Sequence, residues 1–372
     1  MEYKFDDIIK IGKRYNNKKR AYLLINQIQA KHIPTHPSDI ESLIKILAEK
    51  VNKETKGRAI VIGFAETATA ISTILASSLD DAFYLQTTRE DLKNENYLIF
   101  SELHSHAVVQ KIYVDALIKE ANNYDTIVIM DDEITTGKTV INLVNKLKEV
   151  ISLEQKKIIL ASIINRVSPE NKKVLEENGI SLVEIFKEEY SEYEFVDQIE
   201  AFSPKVDYQR IEAKYSYKEF RYVSTPRLGV DIKSYLKEVK ENTNNLLEGL
   251  DLAGKNVLVL GTEEYMYQAL DVARKINERY GIRAVTHSTT RSPIMVSTLR
   301  DYPIYNGYQI ASPYDSQRTT YIYDINKYDV VILVTDGRRN IDNFVTDISS
   351  VLALNDCQKT HVFVGVNDEE FL

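Results

Sequence analysis

The chain has 372 residues, 44% apolar and 27% charged, which suits two ordinary globular domains and excludes a disordered composition. Its net charge of −8 excludes bulk attraction to nucleic acid or an anionic membrane, so an anionic ligand needs a local site. One cysteine, Cys357, excludes an intrachain disulfide framework, while the opening MEYKFDDIIK does not read as a leader and no apolar run approaches the roughly 18 residues of a membrane span; a cytoplasmic location is expected.

In chain order, residues 1–50 form a mixed segment, part apolar and broken by Pro34 and Pro37. SDIESLIKILAEKVNK then predicts an amphipathic helix, with Ser38 as N-cap and Glu41 completing a capping box. AIVIGF (59–64), AFYLQT, TIVIM, KIILASII and SLVEIF read as buried strands. Between them, 67–79, VVQKIYVDALIKEAN, TVINLVNKLKEVI and SPENKKVLEENG read as helices, and 89–106 as a polar loop. Continuous apolar strands alternating with helices predict a parallel sheet covered on both faces. After a charged, tyrosine-rich connection the pattern restarts. DIKSYLKEVKENTNNLLEGL, YMYQALDVARKINERYG and NIDNFVTDISSVLAL predict helices; NVLVLG, RAVTHS, YDVVILVTD and HVFVGV predict strands. The expected organisation is two α/β domains, 1–205 and 206–372, the second beginning with a connecting segment, 206–250.

The restart carries matched residues. Gly63 and Gly261 are 198 apart, as are Glu66 and Glu264. Arg89 and Arg291 are 202 apart, and Asp125 and Asp329 are 204 apart. Anchors in one order with slowly growing offsets predict an internal duplication.

The most informative stretch is DDEITTGKT (131–139) after TIVIM. Ligands of open parallel sheets sit at the carboxyl ends of strands. Asp131 and Asp132 stand there as hydrogen-bond acceptors suited to a vicinal diol. Thr135, Thr136, Gly137, Lys138 and Thr139 then lead into a helix, where N–H groups and hydroxyls can cradle an anion. The spacing suits a ribose 5-phosphate. A Walker A loop is excluded, because position 132, where its first glycine would stand, is aspartate.

This stretch resembles the PRPP-binding signature of type I phosphoribosyltransferases. The resemblance implies that Asp131 and Asp132 hold the ribose hydroxyls, with Mg²⁺ largely through PRPP, and that 135–139 hold the 5′-phosphate. It also implies a pyrophosphate loop after an early strand, where Phe64, Ala65, Glu66 and Thr67 stand. Glu66 would act through Mg²⁺, position a base, or cap the following helix. The polar run 87–107 is the expected lid. Arg89 is its candidate pyrophosphate clamp, with Lys93 a weaker one. His104 and His106, with Glu102, would contact pyrophosphate or base, hold a metal, or be surface residues. In the hood, Lys19, Arg20, Lys31 and His32 would meet an anionic base or lie on the surface.

GFAETATA, HSHA and TTRSP (289–293) together resemble a bacterial group that joins an orotate-phosphoribosyltransferase-like domain to a TRSP domain, associated with tellurium resistance and stress. The implied reaction is displacement of pyrophosphate from C1 of PRPP by a nitrogen nucleophile, or the reverse pyrophosphorolysis, in a nucleoside or nucleotide pathway. A homodimer is expected from the resemblance. A non-catalytic sensor of PRPP or nucleotide is the alternative, and a second domain with catalysis of its own is a third reading. Members acting on 6-oxopurines carry an acid where this chain has Thr135, so hypoxanthine or guanine is disfavoured. In the second domain Thr335 and Asp336 replace the two acids and GRRNID replaces the threonine-glycine cradle. Thr290, Arg291, Ser292, Arg338 and Arg339 are candidates for a different anion site there.

Overall fold

The computed structural model describes residues 3–15, 20–93, 95–100, 109–189, 193–212 and 214–367. Its N-terminal half contains α1 (Phe5–Ile8), β1 (Ile9–Lys13), β2 (Tyr22–Asn26), α2 (Pro37–Glu54), β3 (Ala59–Gly63), α3 (Thr69–Ser77), β4 (Phe83–Gln86), β5 (Tyr97–Ile99), β6 (Lys111–Tyr113), α4 (Asp115–Glu120), β7 (Thr126–Ile134), α5 (Lys138–Leu147), β8 (Lys157–Asn165), α6 (Pro169–Glu177) and β9 (Ile180–Lys187). The rest contains β10 (Tyr215–Arg221), β11 (Val230–Asp231), α7 (Ile232–Leu246), β12 (Val257–Gly261), α8 (Tyr267–Tyr280), β13 (Val285–Ser288), β14 (Gly307–Ala311), β15 (Thr319–Tyr323), β16 (Val330–Thr335), α9 (Ile341–Leu354) and β17 (Lys359–Val366).

The first sheet has the order β11-β4-β3-β7-β8-β9, parallel except for β11. The second has the order β10-β17-β16-β12-β13 and is wholly parallel. Strands covered on both faces must be apolar throughout, and every residue of β3, β12 and β16 is buried. Full burial of one such Ile or Val contributes about 1.5–3 kcal/mol.

Two sequence expectations need correction. Helix α2 begins at Pro37, and neither a Ser38 cap nor a capping box forms: His36 is the N-cap and makes no side-chain cap bond. Proline favours the first helical position, since it has no N–H to satisfy. The expected helix through VVQKIYVDALIKEAN is instead strand β6 followed by the short α4, and β5 and β6 pair as an antiparallel hairpin. Hairpin β14-β15 and strand β10 lie in stretches that carry no strand signal in the sequence. Their residues are short, polar or tyrosine-rich and lack a clear period.

The two sheets share more than a layout. Gly63 faces Gln86 and Gly261 faces Ser288, so the matched glycines occupy the same register. The backbone carbonyl of each glycine accepts the N–H of a matched threonine, Thr87 or Thr289. Those threonine hydroxyls accept N–H bonds from Ala65 and Glu263. Asp125 and Asp329 each accept a backbone N–H, from Arg58 and Asn256, at the start of their strands.

The halves also interlock. Val230, just before α7, pairs with Tyr84 on the edge of the first sheet. Thr35, just before α2, pairs with Thr286 on the edge of the second. Helices α2 and α3 contact α8, and α3 contacts α7. One edge of each sheet, β4 in the first and β13 in the second, is thus met by a segment from the other half, which pairs N–H and C=O groups there.

Candidate functional site

Strand β7 runs past its apolar stretch through Asp131, Asp132 and Glu133 to Ile134. It continues because Asp131 and Glu133 pair in register with Ser162 and Ile164 of β8. Asp131 and Asp132 are half-buried. Asp132 accepts the Thr67 hydroxyl at 2.8 Å, and Asp131 Oδ1 accepts the Asp132 N–H at 2.9 Å. Burial, reinforced by the neighbouring charge of Asp132 and then Glu133, holds the Asp131 carboxyl well above the usual carboxylate range. Glu133 has its own partners: Arg20 at 2.7 Å and Arg166 at 3.2 Å. Arg20 is therefore a ligand of an acid, and Lys19 lies outside the described residues.

Past the acids the chain turns at Gly137, whose φ of 72° is left-handed. A Cβ there would meet Leu175 at 2.9 Å, so both conformation and space favour glycine. Helix α5 starts at Lys138 with no side-chain cap. Thr136, Lys138 and Thr139 are exposed and Thr135 half-buried. Among the described residues, no hydrogen bond uses the N–H of Thr136 or Gly137. A row of backbone donors at a helix N-terminus therefore lies a few residues beyond the acid pair, an arrangement suited to a diol joined to a phosphate.

The loop after β3 lies beside this ledge, joined to it by the Thr67–Asp132 bond. Two of its expected anion donors are otherwise engaged: Phe64 N–H donates to Met130 O and Ala65 N–H to the Thr87 hydroxyl, both at 2.9 Å. No described hydrogen bond uses the N–H of Glu66 or Thr67. Glu66 does not cap α3, whose N-cap is Ala68 with no side-chain bond. Its buried carboxylate pairs with Lys31 at 2.6 Å and accepts the Arg291 N–H at 3.3 Å. Against the cost of burial, Lys31 and then Arg291 and Arg89 pull Glu66 down to about 2. Lys31 is buried too, and donates to Glu263 O, the Ser288 hydroxyl and Thr289 O. It is a bridge between the halves, not a surface cation. His32 is buried beside it with Nε2 unpartnered.

Arg89 donates its backbone N–H to Glu264 at 2.9 Å, and its buried Nε has no partner among the described residues. His104, His106 and Glu102 lie outside the described residues. Among the described residues, no group of three or more His, Cys, Asp or Glu side chains is arranged to hold a metal ion. Two adjacent acids that repel each other when ionised do suit a hard cation, which would offset that repulsion and take its remaining ligands from a bound molecule or water.

The second-domain candidates do not assemble into an anion cradle. Arg291 Nη2 meets Glu90 at 2.5 Å and its Nε meets Glu263, leaving Nη1 buried without a partner among the described residues. Arg338 and Arg339 are exposed, and Arg339 donates to Asp91 O at 3.4 Å. Thr290 accepts the Ser292 N–H. Arg291 is occupied because four buried glutamates surround it, and an uncompensated buried carboxylate is costly. Asp336, which stands where Asp132 does in the first sheet, is already satisfied by Arg227 at 2.5 Å and the Tyr314 hydroxyl at 2.5 Å.

Sequence reasoning missed Glu90, Glu133, Glu263, Arg166, Arg227 and Arg318. Arg318 joins Glu90 at 2.6 Å to Glu263 at 3.0 Å. Glu133 lies inside the acid stretch and Glu90 inside the expected lid, but no local pattern gives any of the six its partner; folding collects them. A narrow crevice of about 20 Å³ is lined by residues of both halves, among them Thr69, Gln86, Arg227 and Glu264.

No curated protein matches the chain. Among solved structures, an APRTase from Giardia lamblia complexed with 9-deazaadenine is 13% identical, matching 50% of this chain and 96% of its own, with a TM-score of 0.38. An orotate phosphoribosyltransferase from Aeropyrum pernix is 14% identical over 43% and 75% of the two chains, with a TM-score of 0.27. At these scores the likeness carries no weight for function. Family matches are direct: residues 8–185 match the phosphoribosyl transferase family, and residues 224–352 match the TRSP domain found C-terminal to it. This chain is a phosphoribosyl transferase-family domain fused to a TRSP domain.

Proposed function

We propose that the chain is a Mg²⁺-dependent phosphoribosyltransferase acting on PRPP and a nitrogenous base, in either the synthetic or the pyrophosphorolytic direction. The observation that carries this reading is the paired acids Asp131 and Asp132 at the end of β7, a few residues before the uncapped N-terminus of α5. The acids accept from the ribose 2′- and 3′-hydroxyls. The N–H groups and hydroxyls of 135–139 receive the 5′-phosphate. The N–H groups of Glu66 and Thr67 face the pyrophosphate, and Arg89 adds positive charge beside them. Mg²⁺, held by Asp131 and Asp132 together with the ligand, would neutralise charge on the leaving group.

The base must arrive able to act as a nucleophile by itself or find a base elsewhere, because Thr135 cannot take a proton near neutral pH. The matched registers and hydrogen bonds of the two sheets support a second proposal, that the TRSP domain is a diverged copy of the first. In that copy Arg227 and Tyr314 take the hydrogen-bonding capacity of Asp336, which argues against a second PRPP site there.

Calorimetric titration of PRPP with and without Mg²⁺ tests the reading, followed by phosphorus NMR for pyrophosphate release with candidate bases. Wild type should bind PRPP in the presence of Mg²⁺, and Asp131→Asn/Asp132→Asn should lose at least 100-fold in affinity, as two charge-assisted contacts are removed. Equal binding by both proteins would refute the site. Binding by wild type without turnover of any base would favour a sensor.

A further inference from the structure

We infer that the pyrophosphate end of the first domain's site is completed by the TRSP domain, with Arg291 of the TRSP motif acting together with Arg89 as a clamp built from both halves. The inference rests on the reading above, since it names the residues that hold one part of the proposed ligand.

The two halves exchange matched contacts. Glu66, in the loop after β3, accepts the Arg291 N–H. Glu264, in the loop after β12, accepts the Arg89 N–H. Glu66 and Glu264 are matched positions, as are Arg89 and Arg291. Each loop is therefore held by the other half, and the Arg291 backbone is fixed against the loop that carries the Glu66 and Thr67 N–H groups.

The side chains point the same way. The Arg291 side chain is 10% exposed, yet among the described residues its Nη1 has no partner. Arg89 Nε is likewise buried and, among the described residues, unpartnered. Arg291 Nε lies 3.6 Å from the Glu66 carboxylate. A buried guanidinium N–H without an acceptor is costly, and native structures rarely keep one unless a ligand or water completes it. Two such donors from arginines gathered around one loop suit a polyphosphate, which guanidinium groups bind through paired hydrogen bonds. Glu263 and Glu90 hold the remaining Arg291 nitrogens. Arg318 bridges the same two glutamates and so stiffens the clamp. The carboxylates anchor the guanidinium, and Nη1 is what remains to offer.

Ribose 5-phosphate and PRPP separate this role from a structural one. Ribose 5-phosphate would use only the acid ledge and the 135–139 turn, both in the first domain, whereas PRPP and inorganic pyrophosphate would also need the clamp. Calorimetry on the full chain with Mg²⁺ should show PRPP and pyrophosphate weakened about 10- to 100-fold in Arg291→Gln, with ribose 5-phosphate affinity unchanged. Arg291→Lys, which keeps the charge that balances the glutamates, should show the same selective loss even if the glutamine variant does not fold. Arg89→Gln should repeat the pattern.

Unchanged affinity for all three ligands in the Arg291 variants would overturn the inference. So would an equal loss for ribose 5-phosphate and PRPP, which would mark Arg291 as structural. If wild type binds pyrophosphate but neither sugar phosphate, the acid-ledge reading fails, and selective loss of pyrophosphate in Arg291→Lys would still uphold the clamp.

Discussion

Lowering the pH should destabilise the fold through two buried histidines at the junction of the halves. His32 and His287 are both buried, and among the described residues neither ring nitrogen of His287 has a hydrogen-bond partner. Burial, then Lys31, lowers His32 to about 4; burial, then His32 and Lys31, lowers His287 to about 3. Both start from 6.5 in an unfolded chain. Folded values below the unfolded value mean that the unfolded chain takes up protons first. The contribution to stability is therefore intact above about pH 6.5 and is lost as pH falls toward the folded values. At pH 5 each histidine costs about 2 kcal/mol relative to pH 7.5, or about 4 kcal/mol together. That is a large share of the 5–15 kcal/mol typical of a folded protein.

Urea denaturation of wild type and His287→Leu at pH 5, 6 and 7.5 checks the argument. Leucine replaces a neutral, unbonded ring and loses no hydrogen bond, so the variant should fold. Its stability should fall by about 2 kcal/mol less than wild type between pH 7.5 and 5. Asp324, raised by burial to about 6, titrates in the opposite sense but equally in both proteins, so the difference cancels it. Parallel pH profiles for the two proteins would refute the reasoning.

Two further outcomes follow from single positions. Lys31→Met removes the nearest cation of the buried Glu66, leaving Arg291 at 3.6 Å, and should cost roughly 3 kcal/mol, much of it recovered by adding Glu66→Gln; chemical denaturation of the three variants measures the coupling, and purely additive effects would exclude the bridge. Gly137→Ala forces a side chain into a left-handed conformation and against Leu175, so it should lose about 1–2 kcal/mol by denaturation and weaken ribose 5-phosphate binding; an unchanged denaturation midpoint would show that the turn relaxes freely.

Much of the architecture is legible in the chain because buried parallel strands must be apolar end to end. AIVIGF, TIVIM and NVLVLG announce themselves for that reason, and the acids of DDEITTGKT stand out because they follow such a strand at once. The matched offsets reappear as matched registers, because the spacing along a chain limits which residues can face each other across a ladder. Short hairpins such as β5-β6 do not show, since three-residue strands carry too little periodicity to outweigh a helical reading.

Local pattern alone determined the two α/β halves, the acid pair and the glycine turn. These depend on residues within about ten positions of each other, where hydrophobic period and backbone conformation act. Only the folded chain decided what the charged residues do. Lys31 and His32 read as surface or hood residues, and Arg291 as part of a separate anion site, yet all three converge with Glu66 at the junction of the halves. A buried charge takes whatever opposite charge the packing brings near it, however distant in sequence, and that pairing follows from how the halves interlock.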